Sequence, residues 1–138
     1  HERDADTVAA IDKGGYVLVD TKDTPDAIVI GTGTELELAV NAAKKLADND
    51  VAVRVVSMPC IEVFANQDAG YRDSVLPPSV TARVAVEAGV SDSWYRFVGA
   101  TGEVVGVDDF GLSAPAEEVY AEFGVTVDGV VQAIQRQL

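Results

Sequence analysis

The chain has 138 residues, 48% of them hydrophobic, with 10 basic against 23 acidic side chains and a net charge of −13. That length and apolar content suit one domain with a real core rather than a disordered segment, and the acidity argues against nucleic-acid or anionic-membrane partners, which need basic clusters. No apolar run approaches the ~18 residues that cross a bilayer, no secretory leader is evident, and the single cysteine, Cys60, cannot form an internal disulfide, so a reduced, cytoplasmic setting is expected.

Residues 1–15 are polar and end in Gly14-Gly15; they are expected to be a linker from an upstream domain, with a short helical turn through Val8, Ala9 and Ile11. Tyr16 to Asp20 predicts a first strand, and Thr24-Pro25-Asp26 is turn chemistry. Ala27-Ile-Val-Ile30 is a continuous apolar run, the pattern of a strand covered on both faces. It leads through Gly31-Thr-Gly-Thr34 into a helix whose stripe is Leu36, Ala39, Val40, Ala43 and Ala47, with Thr34 as the expected N-cap and Asn49-Asp50 at the end.

Val51 to Val56 predicts the next strand, stopped at Ser57-Met-Pro59. A looser stretch from Cys60 to Ser79 holds a helical turn near Ala69 to Val75 and closes at Pro77-Pro78. Val80 to Val86 and Val104 to Val107 predict two more strands, separated by a glycine turn at Gly89 and an aromatic helix around Trp94-Tyr-Arg-Phe97. Ser113-Ala-Pro-Ala-Glu-Glu118 opens a helix that ends at Gly124, and Thr126 caps a last helix with Val127, Val130, Val131, Ile134 and Leu138 on one stripe.

Alternating strands and helices predict an α/β fold of three layers, α/β/α, around a mostly parallel five-stranded sheet. The first strand joins the second by a tight turn and is expected to be an antiparallel edge strand. In such sheets ligands bind beyond the carboxyl ends of the strands, near a switch point. The loops there are Gly31 to Glu35, Ser57 to Cys60, Glu87 to Ser91 and Asp108 to Ser113.

Thr32, Gly33 and Thr34 form a candidate anion site, because glycine lets backbone approach a phosphate and a helix start offers free amides. Leu36 stands where a dinucleotide fingerprint needs its third glycine, no P-loop lysine follows, and Glu35 would repel a phosphate. Cys60 lacks an activating base, since the only histidine is His1, and no His or Cys spacing matches a metal site. Asp108 and Asp109 read as a solvated loop. Glu87 ends an apolar strand and needs a partner, for which Arg83, Arg96 or a loop amide is available. Trp94, Tyr95 and Phe97 suit core packing or, with Glu87 and Arg96, a domain or subunit interface.

An ordered set of short runs resembles the C-terminal, third domain of transketolases. Gly15-Tyr-Val-Leu18 is similar to the start of that domain, and Thr32-Gly-Thr-Glu35 with Leu38-Ala39 to its first strand-to-helix turn. Arg54-Val-Val-Ser-Met-Pro59 is similar to its second parallel strand, and Gln67-Asp68, Tyr71-Arg72 and Ser74-Val-Leu-Pro77 to the irregular connection after it. Thr81-Ala-Arg83, Glu87-Ala-Gly89 and Trp94-Tyr95 resemble the third strand and its exit; Phe110-Gly111, Ser113-Ala-Pro-Ala116 and Phe123-Gly124 resemble the closing helix.

The resemblance covers the chain from Gly14 onward and divides it into the linker 1–15 and the domain 16–138. It implies a parent enzyme that transfers a two-carbon ketol unit between sugar phosphates in the pentose phosphate pathway, using thiamine diphosphate held by Mg²⁺ or Ca²⁺, and working as a homodimer. The family's catalytic, cofactor and metal ligands lie in its other two domains, so the resemblance assigns no catalytic, cofactor-binding or metal-binding residue to this chain. It implies an inactive structural and interface domain whose partners are the remaining transketolase domains. Other readings stay open at the level of sequence: a stand-alone module for a nucleotide or small anion, an independent enzyme using Cys60, or the third domain of another thiamine diphosphate enzyme.

Overall fold

The computed structural model describes residues 9–87, 94–99, 102–106 and 125–138. Five strands form one sheet: β1 (Tyr16–Val19), β2 (Ala27–Gly31), β3 (Val53–Ser57), β4 (Arg83–Glu87) and β5 (Glu103–Gly106), in the order β1-β3-β2-β4-β5. The β2–β3, β2–β4 and β4–β5 pairs are parallel, and β1 is an antiparallel edge strand. Its neighbour is β3 rather than β2, so the short β1–β2 connection does not make a hairpin; it reverses the chain across β3.

Helix α1 (Leu36–Ala47) and the last helix, α5 (Val127–Gln137), cover one face of the sheet. Helices α2 (Ile61–Ala65), α3 (Ala69–Val75) and α4 (Tyr95–Val98) contribute to the other. The alternation of strand side chains divides the core accordingly. Val29, Val55, Val84 and Val86 face α1 and α5, whereas Ile28, Ile30, Val56 and Ala85 face Phe64, Trp94 and Phe97. The continuous apolar runs of β2 and β4 follow from being covered on both sides.

Several boundaries differ from the periodic pattern for local reasons. Val51 and Ala52 precede β3, because Val51 N–H bonds the Leu46 carbonyl and caps the end of α1. Val80 turns back to bond the Pro77 carbonyl, which delays β4 to Arg83. Thr34 is not the N-cap of α1. A 3-10 turn, Gly33–Glu35, intervenes and places Glu35 at that position with no side-chain cap bond. Thr126 does cap α5, accepting from Gly129 N–H at 3.0 Å. Short helix α2 lacked a readable period, and α3 begins with Asp68 accepting from Tyr71 N–H at 2.8 Å.

Residues 9–11 are helical, and Gly14 and Gly15 are buried in the fold. Gly14 has φ +83°, and a Cβ there would come within 2.4 Å of the Cys60 carbonyl oxygen. Gly15 lies against Met58 and Phe64, and its carbonyl accepts from Tyr71 Oη at 2.7 Å. The turn at Gly89, the loop Asp108 to Ser113 and the helix expected from Ser113 to Gly124 lie outside the described residues.

Candidate functional site

The crossover from β3 to β4 passes over β2, so the switch point of the sheet lies between the carboxyl ends of β2 and β4. There β2 turns through Thr32 and Gly33 into the 3-10 turn, and β4 ends in Glu87. Gly31 is closely packed, since a Cβ there would sit 3.1 Å from Leu36 Cα, and its carbonyl accepts from Met58 N–H at 2.9 Å. Gly33 has φ +57°, a left-handed conformation in which glycine carries no steric penalty.

This edge is acidic. Glu35 is 6% exposed, and Glu87 is half-buried. Burial raises the Glu87 pKa above the ordinary carboxylate range, the Glu35 carboxylate adds to that rise, and a hydrogen bond from Trp94 opposes it. The partner of Glu87 is thus the Trp94 indole, not Arg83 or Arg96. Arg83 lies four residues back on the strand and gives its guanidinium to backbone carbonyls. Arg96 is exposed and stacks over the Phe97 ring at 5.6 Å.

Thr32 and Gly33 therefore adjoin two carboxylates rather than a cationic cradle, which disfavours an anion there; the Thr34 side chain lies outside the described parts.

Of the residues expected at an interface, Trp94 and Phe97 turn inward. They are 2% and 8% exposed, with ring centroids 6.3 Å apart, and Phe97 packs edge-on against Phe64 at 5.7 Å. Their apolar area is already spent on the domain's own core, so they cannot anchor a partner directly. Glu87 and Arg96 retain accessible polar surface; the Tyr95 side chain is not among those described. Cys60 is partly buried, and its Sγ lies 3.7 Å from the Glu62 carboxylate, an acceptor rather than a base poised to activate a nucleophile.

Sequence reasoning missed the arginine bracing beneath the sheet. Arg83 donates to the carbonyls of Val80 (2.9 Å), Phe97 (2.7 Å), Leu76 (3.1 Å) and Pro77 (2.8 Å). Arg54 donates to Ser74 and Val75 carbonyls at 3.0 and 3.1 Å and to Asp20 at 3.0 Å. The signal was present: an arginine inside an apolar strand, and a Pro77-Pro78 turn that contributes carbonyls but no amides of its own.

The family model described as the transketolase-like C-terminal domain matches residues 14–126. The chain belongs to that family. It is 56% identical over 130 residues to transketolase 1 of Escherichia coli (strain K12), and 51% identical over 136 residues to transketolase 1 of Vibrio vulnificus (strain YJ016). These alignments cover 94% and 99% of the chain, but in each case only 20% of the relative. Among solved structures, the Leishmania mexicana transketolase superposes with a TM-score of 0.83 at 40% identity, covering 94% of this chain and 19% of that one. The transketolase C-terminal domain is therefore both the sequence family and the fold of this chain.

Proposed function

We propose that this chain serves as the C-terminal domain of a longer, cytoplasmic transketolase, packing against the neighbouring domain and supporting the homodimer. The observation that carries this reading is the extent of the match: nearly the whole chain, but one fifth of each relative. The enzyme would move a two-carbon ketol unit between sugar phosphates. Thiamine diphosphate, held by Mg²⁺ or Ca²⁺, supplies the carbanion chemistry when bound.

The described residues do not fit that cofactor. Among those described, no three His, Cys, Asp or Glu side chains converge as a metal site needs, and the switch point carries carboxylates that would repel a diphosphate. By the family resemblance, thiamine diphosphate, its metal and the catalytic residues would belong to the other domains of the longer enzyme. No described helix is long and apolar enough to cross a membrane. Residues 1–15 would lead in from the preceding domain, with Gly14 and Gly15 already part of the packed unit. Glu87, Tyr95 and Arg96 would form the contact, backed by Trp94 and Phe97.

The test is a coupled ketol-transfer assay on this chain with thiamine diphosphate and magnesium. No turnover above the buffer blank is expected, and turnover would overturn the assignment. In the longer enzyme, Glu87→Lys combined with Arg96→Glu should weaken the dimer or the domain packing in sedimentation. An unchanged assembly would remove these residues from the interface.

A further inference from the structure

A groove of about 520 Å³ opens at the amino end of β4, the end opposite Glu87. Its size is that of a small-molecule site. Arg72, Arg83 and Arg96 line it together with a single acid, Asp73. In a chain with 10 basic and 23 acidic residues, three cations against one anion is a reversal of the overall balance.

None of these three arginines forms an ion pair with a described residue. Among the described residues, ion pairs use Lys45, Arg54 and Arg136. Arg83 at the groove is held by four neutral carbonyls, which fix its plane without neutralising its charge. Arg96 is steadied over the Phe97 ring, and the exposed Arg72 is carried on α3. Burial lowers the Arg83 pKa, and only the more distant field of Asp73 opposes that. A half-buried cation with no carboxylate in contact is a costly arrangement that an incoming anion would relieve. Planar guanidinium groups are also well shaped for two-point contact with phosphate or carboxylate oxygens.

We propose that this groove binds a small molecule carrying an oxyanion group, a phosphate or a carboxylate, held by Arg72 and Arg96 beside the fixed charge of Arg83. The groove lies at the end of β4 opposite the acidic switch point, and it shares Arg96 with the contact proposed for the longer enzyme.

The experiment is calorimetric titration of the whole chain with pyrophosphate and, separately, citrate, at constant ionic strength. Saturable binding is expected for at least one of them; tighter pyrophosphate binding would assign the phosphate class, and tighter citrate binding the carboxylate class. Because Arg72 and Arg96 are exposed, R72A/R96A should keep the melting midpoint and the circular dichroism spectrum while losing about tenfold or more in affinity. Arg83 is left intact because it braces the fold. In the unaltered chain, the side-chain Nε–H resonances of Arg72, Arg83 and Arg96 should move together during the titration. No saturable heat with either anion up to about 10 mM, equal affinity in the double variant, or arginine resonances that stay in place would each overturn the proposal.

Discussion

The two faces of the sheet are built on different principles. One is covered by α1 and α5, two regular helices whose alanine, leucine, valine and isoleucine side chains lie against strand valines. Its cross-links at the surface are exposed ion pairs, Lys45 with Asp128 at 2.8 Å and Arg136 with Glu103 at 2.8 Å. The other face is covered in part by three short helices, whose cohesion comes from large side chains and from arginines bonded to loop carbonyls. Regular helices satisfy most of their own backbone, so their face needs only apolar complementarity. Short helices and a diproline turn leave carbonyls that side chains must satisfy. Both the bracing and the candidate oxyanion groove accordingly sit on the irregular face.

The largest effect should come from its aromatic centre. Phe64 meets Tyr71 at 6.1 Å and Phe97 at 5.7 Å between ring centroids, and it is 1% exposed. Phe64→Ala is expected to cost about 3–5 kcal/mol, against about 2–4 kcal/mol for Leu46→Ala on the helical face, as read by denaturant unfolding. A larger loss at Leu46 would contradict the weight placed on the aromatic cluster. Next comes Arg83→Met, which keeps the aliphatic bulk and removes the donors to four carbonyls. A loss of about 2–3 kcal/mol is expected. Amide exchange should quicken around Leu76 to Val80, while α1 stays protected; uniform exchange would mean that Arg83 braces nothing locally.

The same contrast explains what could be read in advance. The stripe Leu36, Ala39, Val40, Ala43 and that of Val127, Val130, Val131, Ile134 announce two helices because each repeats at helical spacing. The apolar runs of β2 and β4 announce a doubly covered sheet for the same kind of reason. Helix α2, with Ile61–Ala65, spans too few residues to show a period, so nothing marked it. The partner of β1 was equally hidden, because a strand's own sequence does not encode which neighbour its edge will meet. At the switch point, Glu87 was legible as a carboxylate out of place. Its pairing with Trp94 was not, since Arg83 was nearer in sequence and a more obvious counter-ion. Arg83 instead donates to the Leu76 and Pro77 carbonyls of the diproline turn, a pairing that appears only once the chain has folded.

Smaller effects should follow at the helix caps, one on each face. Asp68→Ala and Thr126→Ala each remove an acceptor for a first-turn amide and should cost about 1 kcal/mol. Equal losses would show that a cap is worth the same on a seven-residue helix as on an eleven-residue one. A larger loss at Asp68 would indicate that the short helix depends on it more heavily.

The smallest expected effect separates the faces by pH. The Glu87 pKa is raised in the fold by burial and by Glu35, so the folded state favours the protonated carboxyl. Below the pKa of about 4.3 for a free glutamate, both states are protonated and Glu87 contributes its full stability. As pH rises through that value the unfolded chain ionises first, and the contribution falls until the folded group ionises too. Glu87→Gln keeps an oxygen for the Trp94 indole but abolishes this loss. The variant should match the parent in acid and become modestly more stable as pH rises above the glutamate range, reaching a plateau beyond the folded pKa. The Lys45–Asp128 pair of the helical face is exposed to solvent, so Lys45→Ala should shift stability by less than about 1 kcal/mol. Urea midpoints measured from acid to neutral pH give the difference directly. A Glu87→Gln curve that runs parallel to the parent, or falls below it at neutral pH, would mean that the carboxylate is stabilised in the fold, and the acidic switch point would then have to be understood as a favourable charge site.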